Sequence, residues 1–227
     1  MTKRALIVGG TGLVGKCVVK HLLTNDQFSH VTMLTRRKTT WEHYKLEEKV
    51  IDFDSLENVL VDLDTTYDVV YCCLGTTMKK ARSKRAFLKV DFDYPLAVAK
   101  WVEEVKIPKL LIITAIGANA SSPFFYSRVK GELELKVRSL QISTVYFIRP
   151  SLLLGDRNEF RTGEKIGEWL GKVLQPVMIG KWKKYRSIAA KDVASAMIRL
   201  SLENAHTGKH TIESSALQDL ANERVYA

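Results

Sequence analysis

A run of apolar residues that breaks into three evenly spaced glycines constrains the fold of this 227-residue chain more than any other feature. Residues 4–8 have the pattern of a strand buried on both faces, and Gly9, Gly12 and Gly15 follow it just as a helical pattern begins. Glycines at a helix N-terminus leave backbone N–H groups free to face a phosphate, with no Cβ in the way. With about 30 residues to the next strand, the stretch predicts the first βαβ unit of a dinucleotide-binding fold. The alternative is a structural glycine turn that holds no ligand. The residues expected to bind the pyrophosphate are Gly9, Thr11, Gly12, Leu13, Val14 and Gly15.

Strand and helix patterns alternate six times up to residue 149. Strands are predicted at residues 4–8, 30–35, 49–53, 67–74, 109–114 and 142–149, and helices at residues 13–23, from about 56, at 87–105 and at 126–139. This α/β alternation predicts a doubly wound, mostly parallel sheet, the Rossmann fold. We expect one NAD(P)-binding domain over residues 1–227, with a nucleotide-binding core at 1–150. Residues 151–227 are expected to form a small cap on the substrate side, with helices at 162–174 and 190–202, a strand at 210–212 and a final short helix.

The formal net charge of +10, from 35 basic and 25 acidic residues, favours an anionic partner. Two basic clusters, at residues 79–85 and 181–186, are accompanied by no helix-turn-helix, zinc-finger or RNA-binding signature, so we expect no nucleic-acid partner. Solvated loops near a multiply charged cofactor explain them more simply. No apolar run is long enough for a membrane span, and a strand from about residue 4 leaves no room for a signal peptide. These features predict a cytoplasmic protein without a membrane partner.

The three cysteines, Cys17, Cys72 and Cys73, fall inside predicted helix and strand. They lack the spacing of metal ligands, so we expect buried free thiols and no metal site.

Two arginines directly after the second predicted strand indicate which cofactor is bound. An NAD-selective site usually has Asp or Glu here, on the ribose 2′-hydroxyl, whereas the guanidinium groups of Arg36 and Arg37 can pair with a 2′-phosphate. The cofactor is therefore predicted to be NADP(H), unless both arginines are ordinary surface residues. Asp52 and Phe53, at the end of the third strand, are expected beside the adenine. The neighbouring Asp54 is equally compatible with capping the helix that follows.

The fourth strand ends in a turn that we expect to lie over the cofactor. Leu74, Gly75 and Thr76 follow the most hydrophobic of the first four predicted strands, and the glycine allows a tight turn. The threonine hydroxyl would then lie near the phosphates or the nicotinamide ribose. An ordinary strand-end turn explains the same residues equally well.

Tyr126 and Lys130 are four residues apart at the start of a predicted helix, so both side chains project from one face. In carbonyl reduction Tyr126 would donate its phenolic proton to the forming alkoxide, and the Lys130 ammonium would lower the tyrosine pKa. Lys130 could also hold the nicotinamide ribose. Thr114, at the end of the fifth strand, is expected to hydrogen-bond the carbonyl oxygen. The alternative is that Tyr126 packs and Lys130 is a surface residue.

These residues together resemble the short-chain dehydrogenase/reductase superfamily, in its atypical single-domain branch. The matching stretches are residues 9–15, 35–37, 72–77, 90–95, 126–132 and 149–155. The resemblance implies a Rossmann fold, NADP(H) binding and a Tyr/Lys pair assisted by a hydroxyl residue. The superfamily usually has serine where Thr114 stands, and Ala115 follows where relatives can have a second serine. Asp91 occupies the nearest match to an asparagine that many members carry.

Two functions follow as hypotheses. The first is an NADPH-dependent reductase of a small carbonyl substrate, with Tyr126 as acid, Lys130 as its electrostatic partner and Thr114 as hydroxyl donor. The second is a regulatory or redox-sensing protein that binds NADP(H) and a protein partner without significant turnover. Either a monomer or a homodimer is compatible with the sequence.

Overall fold

The computed structural model describes residues 2–154, 186–203 and 207–223. Its centre is a seven-stranded sheet in the order β3-β2-β1-β4-β5-β6-β9, and every neighbouring pair of strands is parallel. The strands of this sheet are β1 (Lys3–Val8), β2 (Phe28–Thr35), β3 (Leu46–Val50), β4 (Val69–Cys72), β5 (Lys109–Ile113), β6 (Thr144–Arg149) and β9 (Gly208–Glu213). Two short strands, β7 (Leu153–Leu154) and β8 (Ile188–Ala189), pair with each other outside the sheet. The doubly wound fold predicted from the alternation is confirmed.

Helices cover both faces of the sheet. The described helices are α1 (Leu13–Thr24), α2 (Leu56–Val61), α3 (Met78–Ala81), α4 (Lys84–Leu88), α5 (Tyr94–Glu104), α6 (Phe125–Arg138), α7 (Ala190–Leu202) and α8 (Ser214–Asn222). Alternate strand residues face opposite helices: Ala5 and Ile7 belong to the core beneath α1 and α7, and Leu6 and Val8 to the core beneath α2, α5 and α6. Both faces of β1 are therefore buried, which explains its continuous apolar run.

Most predicted strands are shifted at their ends by a few residues, and two elements differ in kind from the prediction. The third strand was expected at residues 49–53, but β3 ends at Val50 and Phe53–Ser55 form a 3-10 turn. The expected long helix at 87–105 begins earlier, as α4, and contains a π-helical segment, Lys89–Asp93, before α5. Pro95 lies in the first turn of α5, directly after the π-helical segment.

The described residues of the C-terminal portion join the core. Helix α7 packs against α1 within one hydrophobic cluster, and β9 pairs with β6 at the edge of the sheet. The expected division at residue 150, with a substrate-side cap beyond it, does not apply to residues 186–203 and 207–223. The turn at 155–157 and the helix predicted at 162–174 lie outside the described residues. Across the described ranges, no helix has both the length and the apolar character that a membrane crossing requires.

Candidate functional site

The glycine turn between β1 and α1 is held by close backbone packing. Gly9 has a positive φ of 87°, and a Cβ on it would lie 2.7 Å from the backbone carbonyl of Cys73 after β4. A Cβ on Gly15 would overlap the carbonyl oxygen of Gly9. Gly10, which the sequence patterns did not single out, would place a Cβ 2.5 Å from Sδ of Met33. Gly9 and Gly15 are therefore required by the packing of β1, β4 and α1, whether or not a ligand is bound, and a Cβ on Gly10 would force the Met33 side chain of β2 to move.

Gly12 is different because the protein itself leaves more room there. A Cβ on Gly12 would lie 3.3 Å from its nearest neighbour, the Gly9 oxygen, and the residue is exposed at the N-terminus of α1. No side chain caps this helix, and its first turn carries no acid. The first-turn N–H groups are thus free to meet an anion, and the missing Cβ of Gly12 gives a pyrophosphate a close approach.

The other turn residues contribute in different ways. Thr11 is exposed and Leu13 is half-buried, so both lie at the surface of the turn. The Val14 side chain is only 4% exposed and belongs to the core beneath α1. Of the predicted pyrophosphate ligands, Val14 can therefore offer its N–H group but not its side chain.

A groove of about 600 Å³ lies beside the carboxyl ends of β2 and β3. Its lining includes Arg36, Asp52 and Phe53, which the structure brings together as the sequence predicted for an adenosine site. Arg37 is exposed but does not line this groove. Tyr94 from α5 also lines it, and its ring contacts that of Phe53 with 5.6 Å between ring centres.

The two aspartates of this groove already have partners. Asp52 accepts the N–H of Asp54 at 2.9 Å and so caps the 3-10 turn itself. The Asp54 carboxylate accepts the Tyr94 hydroxyl at 2.6 Å and the Lys89 ammonium at 2.7 Å. These bonds lower the pKa of Asp54. Asp54 does not cap α2, whose N-cap position is Ser55, and its carboxylate instead ties α5 and the π-helical segment to the turn. Asp54 also lines the groove, and its role beside the adenine stays a prediction.

The turn after β4 is anchored from beneath by Asp91. The Thr76 N–H donates to Oδ2 of Asp91 at 2.8 Å, and a Cβ on Gly75 would lie 3.5 Å from Oδ1 of the same residue. Leu74 and Thr76 are half-buried and Gly75 is exposed. Because β4 pairs with β1, this turn and the glycine turn lie at the same edge of the sheet.

Tyr126 and Lys130 lie in α6, in very different surroundings. The Tyr126 side chain is 40% exposed and its ring contacts that of Phe87, with 5.7 Å between ring centres. Lys130 is 2% exposed, and its Nζ lies 2.8 Å from Oδ1 of Asp91, which is 1% exposed. Oδ1 has no other partner among the described residues, so the ammonium is its counter-ion. The alternative of Lys130 as a surface lysine is wrong.

The electrostatic effect on Tyr126 differs from the expected one. Loss of water around its hydroxyl raises the pKa of Tyr126 above the ordinary value; Lys130 lowers it and Asp91 raises it further. The pKa is raised overall, whereas the sequence argument expected the ammonium to lower it. At neutral pH the phenol is protonated, which suits a proton donor.

Thr114 does not present its hydroxyl as expected. The residue is 3% exposed, and its Oγ1 donates to Oε1 of Glu134 at 2.7 Å, with the carbonyl oxygen of Ile148 at 3.3 Å as the other acceptor. A hydroxyl has one proton to donate, and both neighbours are acceptors. Strand alternation explains the orientation, since Ile112 and Thr114 face α6. The sequence predicted that the Thr114 hydroxyl would hydrogen-bond a substrate oxygen. In the structure this hydroxyl is bonded to Glu134 instead, and Ala115 next to it has no hydroxyl.

The sequence patterns did not indicate a partly buried ion-pair network around Glu134 of α6. The Arg149 guanidinium contacts both oxygens of Glu134, at 2.9 and 2.6 Å, and also Glu213 of β9 at 3.1 Å. A Cβ on Gly131 would overlap the backbone of Asn119 and Ala120, so α6 presses directly on the loop after β5. The signals available were the glycine directly after Lys130 and the arginine that ends β6, both inside stretches that carry the family resemblance.

Comparisons with known proteins agree with this geometry. A family model described as NAD(P)H-binding matches residues 9–141. Protein HTATIP2 of Rattus norvegicus, a Tat-interacting protein, is 32% identical over 224 residues, which cover 97% of this chain and 90% of that protein. The mitochondrial protein FMP52 of Candida albicans is 32% identical over 184 residues, covering 75% of this chain and 80% of that protein.

Solved structures show the same fold at low sequence identity. The Bordetella bronchiseptica enzyme WbmF in complex with NAD+ superposes with a TM-score of 0.67 at 16% identity, covering 97% of this chain and 76% of that one. A short chain dehydrogenase family protein from Francisella tularensis gives a TM-score of 0.64 at 16% identity, covering 95% and 99%. The fold expected from the resemblance to the short-chain dehydrogenase/reductase superfamily is therefore confirmed.

Proposed function

Because this chain belongs to the NAD(P)H-binding family of short-chain dehydrogenase type, we propose that it is an NADPH-dependent oxidoreductase that reduces a small carbonyl compound. One observation carries the proposal: a half-exposed, protonated phenol lies on the same helix as a buried ammonium. A continuous series of contacts joins that ammonium to the cofactor edge, through Asp91, Thr76 and the β4 turn beside the glycines.

NADPH, when bound, supplies the hydride. The residues that would hold it are the first-turn N–H groups of α1 for the pyrophosphate, the groove of Arg36, Asp52 and Phe53 for the adenosine, and the β4 turn for the ribose nearest the nicotinamide. Lys130 would reach that ribose only by sharing its ammonium with Asp91. Tyr126 donates its proton to the carbonyl oxygen as negative charge develops there, and the phenol is then reprotonated from solvent.

The test is NADPH oxidation, followed by absorbance over a panel of aldehydes and ketones. Tyr126→Phe is the matched variant, because it removes the acidic proton and keeps the ring that contacts Phe87. We expect its kcat/KM to fall by about 100-fold or more, the usual contribution of a general acid, with unchanged NADPH binding. Equal turnover by the variant would refute the assigned role of Tyr126.

The preference for NADPH over NADH rests on Arg36, which lines the groove. Its guanidinium can pair with a 2′-phosphate, and this charge-assisted bond is absent for NADH. Arg36→Ala is expected to weaken NADPH binding by about 10- to 100-fold and to leave NADH binding unchanged, by fluorescence titration. Arg37→Ala is the matched control, and a larger loss there would assign the phosphate to Arg37.

A second candidate function is a redox sensor that binds NADP(H) without significant turnover. The Thr114 hydroxyl is bonded to Glu134 and position 115 is alanine, so the hydroxyl that usually assists the tyrosine is not presented. Tight NADPH binding with no oxidation of cofactor across the whole panel would favour the sensor. Binding of a protein partner that differs between NADPH and NADP+ would then identify it.

We further propose a cytoplasmic location, one small-molecule substrate and a monomer or homodimer. The names of the FMP52 relatives place those proteins in mitochondria, so cell fractionation with a tagged chain is the direct test of location. Light scattering of the purified protein decides the oligomeric state.

A further inference from the structure

Asp91 and Lys130 form a buried ion pair that the proposed reaction does not by itself explain. Both side chains are at most 2% exposed, and the oxygen and nitrogen lie 2.8 Å apart. The Lys130 ammonium alone would lower the pKa of Tyr126, and that effect needs no carboxylate. The carboxylate instead places a negative charge where it opposes ionisation of the phenol.

The backbone places Asp91 at this point by a local departure from the α-helix. Asp91 lies at the centre of the π-helical segment Lys89–Asp93, between α4 and α5. Such segments are rare and occur frequently at functional sites. From there the carboxylate reaches two other elements, with Oδ2 on the Thr76 N–H and Oδ1 on Lys130 of α6. It therefore joins the cofactor-side turn to the helix that carries Tyr126.

We propose that Asp91 is a positioning residue that balances the charge of Lys130, opposes ionisation of Tyr126 and so favours carbonyl reduction over alcohol oxidation. The reaction-direction part rests on the proposed function. In reduction the phenol O–H bond breaks and an O–H bond forms on the substrate oxygen, while NADPH is oxidised and the carbonyl is reduced to an alcohol. Oxidation requires the phenolate instead, which the pair disfavours.

The charged and titratable groups around Tyr126 are few in the part of the chain that the structure describes. Lys130 faces it from α6 and Asp91 from the π-helical segment. The Cys72 thiol of β4 interacts with the same two charges, and burial raises its pKa to about 11. The Lys84 ammonium of α4 lies over the neighbouring Phe125 ring, 5.4 Å from its centre. Removing the Asp91 charge leaves the Lys130 ammonium without its counter-ion beside the phenol.

The experiment is a pH titration of the Tyr126 phenol by NMR, with tyrosine labelled at Cζ and the resonance assigned by its loss in Tyr126→Phe. Asp91→Asn removes the charge and keeps an oxygen for the Thr76 N–H, while its amide NH2 replaces the oxygen that faced Lys130. We expect the pKa of Tyr126 to fall by about one unit in this variant. Asp93→Asn, which removes an exposed carboxylate from the same segment, is the matched control and should leave the pKa unchanged.

The same change should appear in kinetics. The alkaline limb of kcat/KM for reduction is also expected to move to lower pH, by about one unit. A purely structural role would instead reduce kcat/KM at every pH without moving the limb. Asp91→Ser, which also removes the charge and gives water access to Lys130, is the second variant if Asp91→Asn does not fold. An unchanged or raised pKa of Tyr126 in the folded variant overturns the proposal. The NMR titration needs no substrate, so failure of the reductase proposal in the turnover panel is a separate result.

Discussion

Replacing Asp91 by leucine should destabilise the protein strongly, because it leaves the Lys130 ammonium buried without a counter-ion. Removing one partner of a buried ion pair costs about 3–5 kcal/mol. An independent bound agrees: the pKa of an ordinary lysine is about 10.4, so releasing its proton at pH 7 to avoid a buried charge costs about 4.6 kcal/mol. For a domain of this size, such a loss lowers Tm by about 6–20 °C.

The assay is urea unfolding at pH 7 and pH 9, for the unchanged protein, Asp91→Leu, Lys130→Met and the double variant. If Lys130 of Asp91→Leu is neutral in the folded state, unfolding binds a proton, so stability rises with pH. The destabilisation should then shrink to about 2 kcal/mol at pH 9. The double variant buries no charge and should recover most of the loss, as hydrophobic replacements of buried ion pairs often do. A loss below about 1 kcal/mol in Asp91→Leu, or additive losses in the double variant, would refute the idea that the pair is buried and mutually dependent.

Three further predictions follow from other parts of the molecule. Gly15→Ala should weaken NADPH binding at least tenfold by fluorescence titration, because its Cβ would overlap the Gly9 oxygen and displace α1; unchanged affinity would refute the assigned packing. Residues 69–90, which include the β4 turn, contain no acidic residue, and Lys79 and Arg82 have no carboxylate partner among the described residues. These cations should attract an anionic substrate, so 4-carboxybenzaldehyde should be reduced more efficiently than its methyl ester at low salt. The double change Lys79→Glu with Arg82→Glu should abolish this difference, and a difference that persists contradicts the assignment. Lys109→Met should cost about 1–2 kcal/mol in urea unfolding, since its ammonium contacts three carbonyls at the C-terminus of α7; no loss would show that these bonds contribute nothing.

The sequence was sufficient for those parts of the fold that local patterns determine. The apolar run of β1 and the closely spaced glycines predicted the turn, and the helix expected at 190–202 has those bounds in α7. Gly15 was assigned to phosphate binding, and its packing against Gly9 appears only when β1 and α1 are brought together. Spacing alone does not distinguish a glycine that a ligand requires from one that the fold requires.

The candidate site was predictable to the level of residue type but not of orientation. Tyr126 and Lys130 were found from their spacing, but the charge state of the site depends on Asp91, 39 positions from Lys130. The Thr114 hydroxyl was expected to face a substrate, and it faces α6 because strand alternation and Glu134 decide its direction. Long-range partners of this kind leave no periodic signal in a single sequence.

The pairing of α7 with α1 has a consequence for synthesis of the chain. The apolar face of α1 is completed by residues that the ribosome adds more than 160 positions later, and β9 follows later still. Until then the apolar face of α1 is exposed in the nascent chain, and β6 has no strand paired on its outer side. We therefore expect the domain to fold slowly and only once α7 and β9 have been synthesised, with a need for chaperone protection that a chain built from neighbouring contacts would not have.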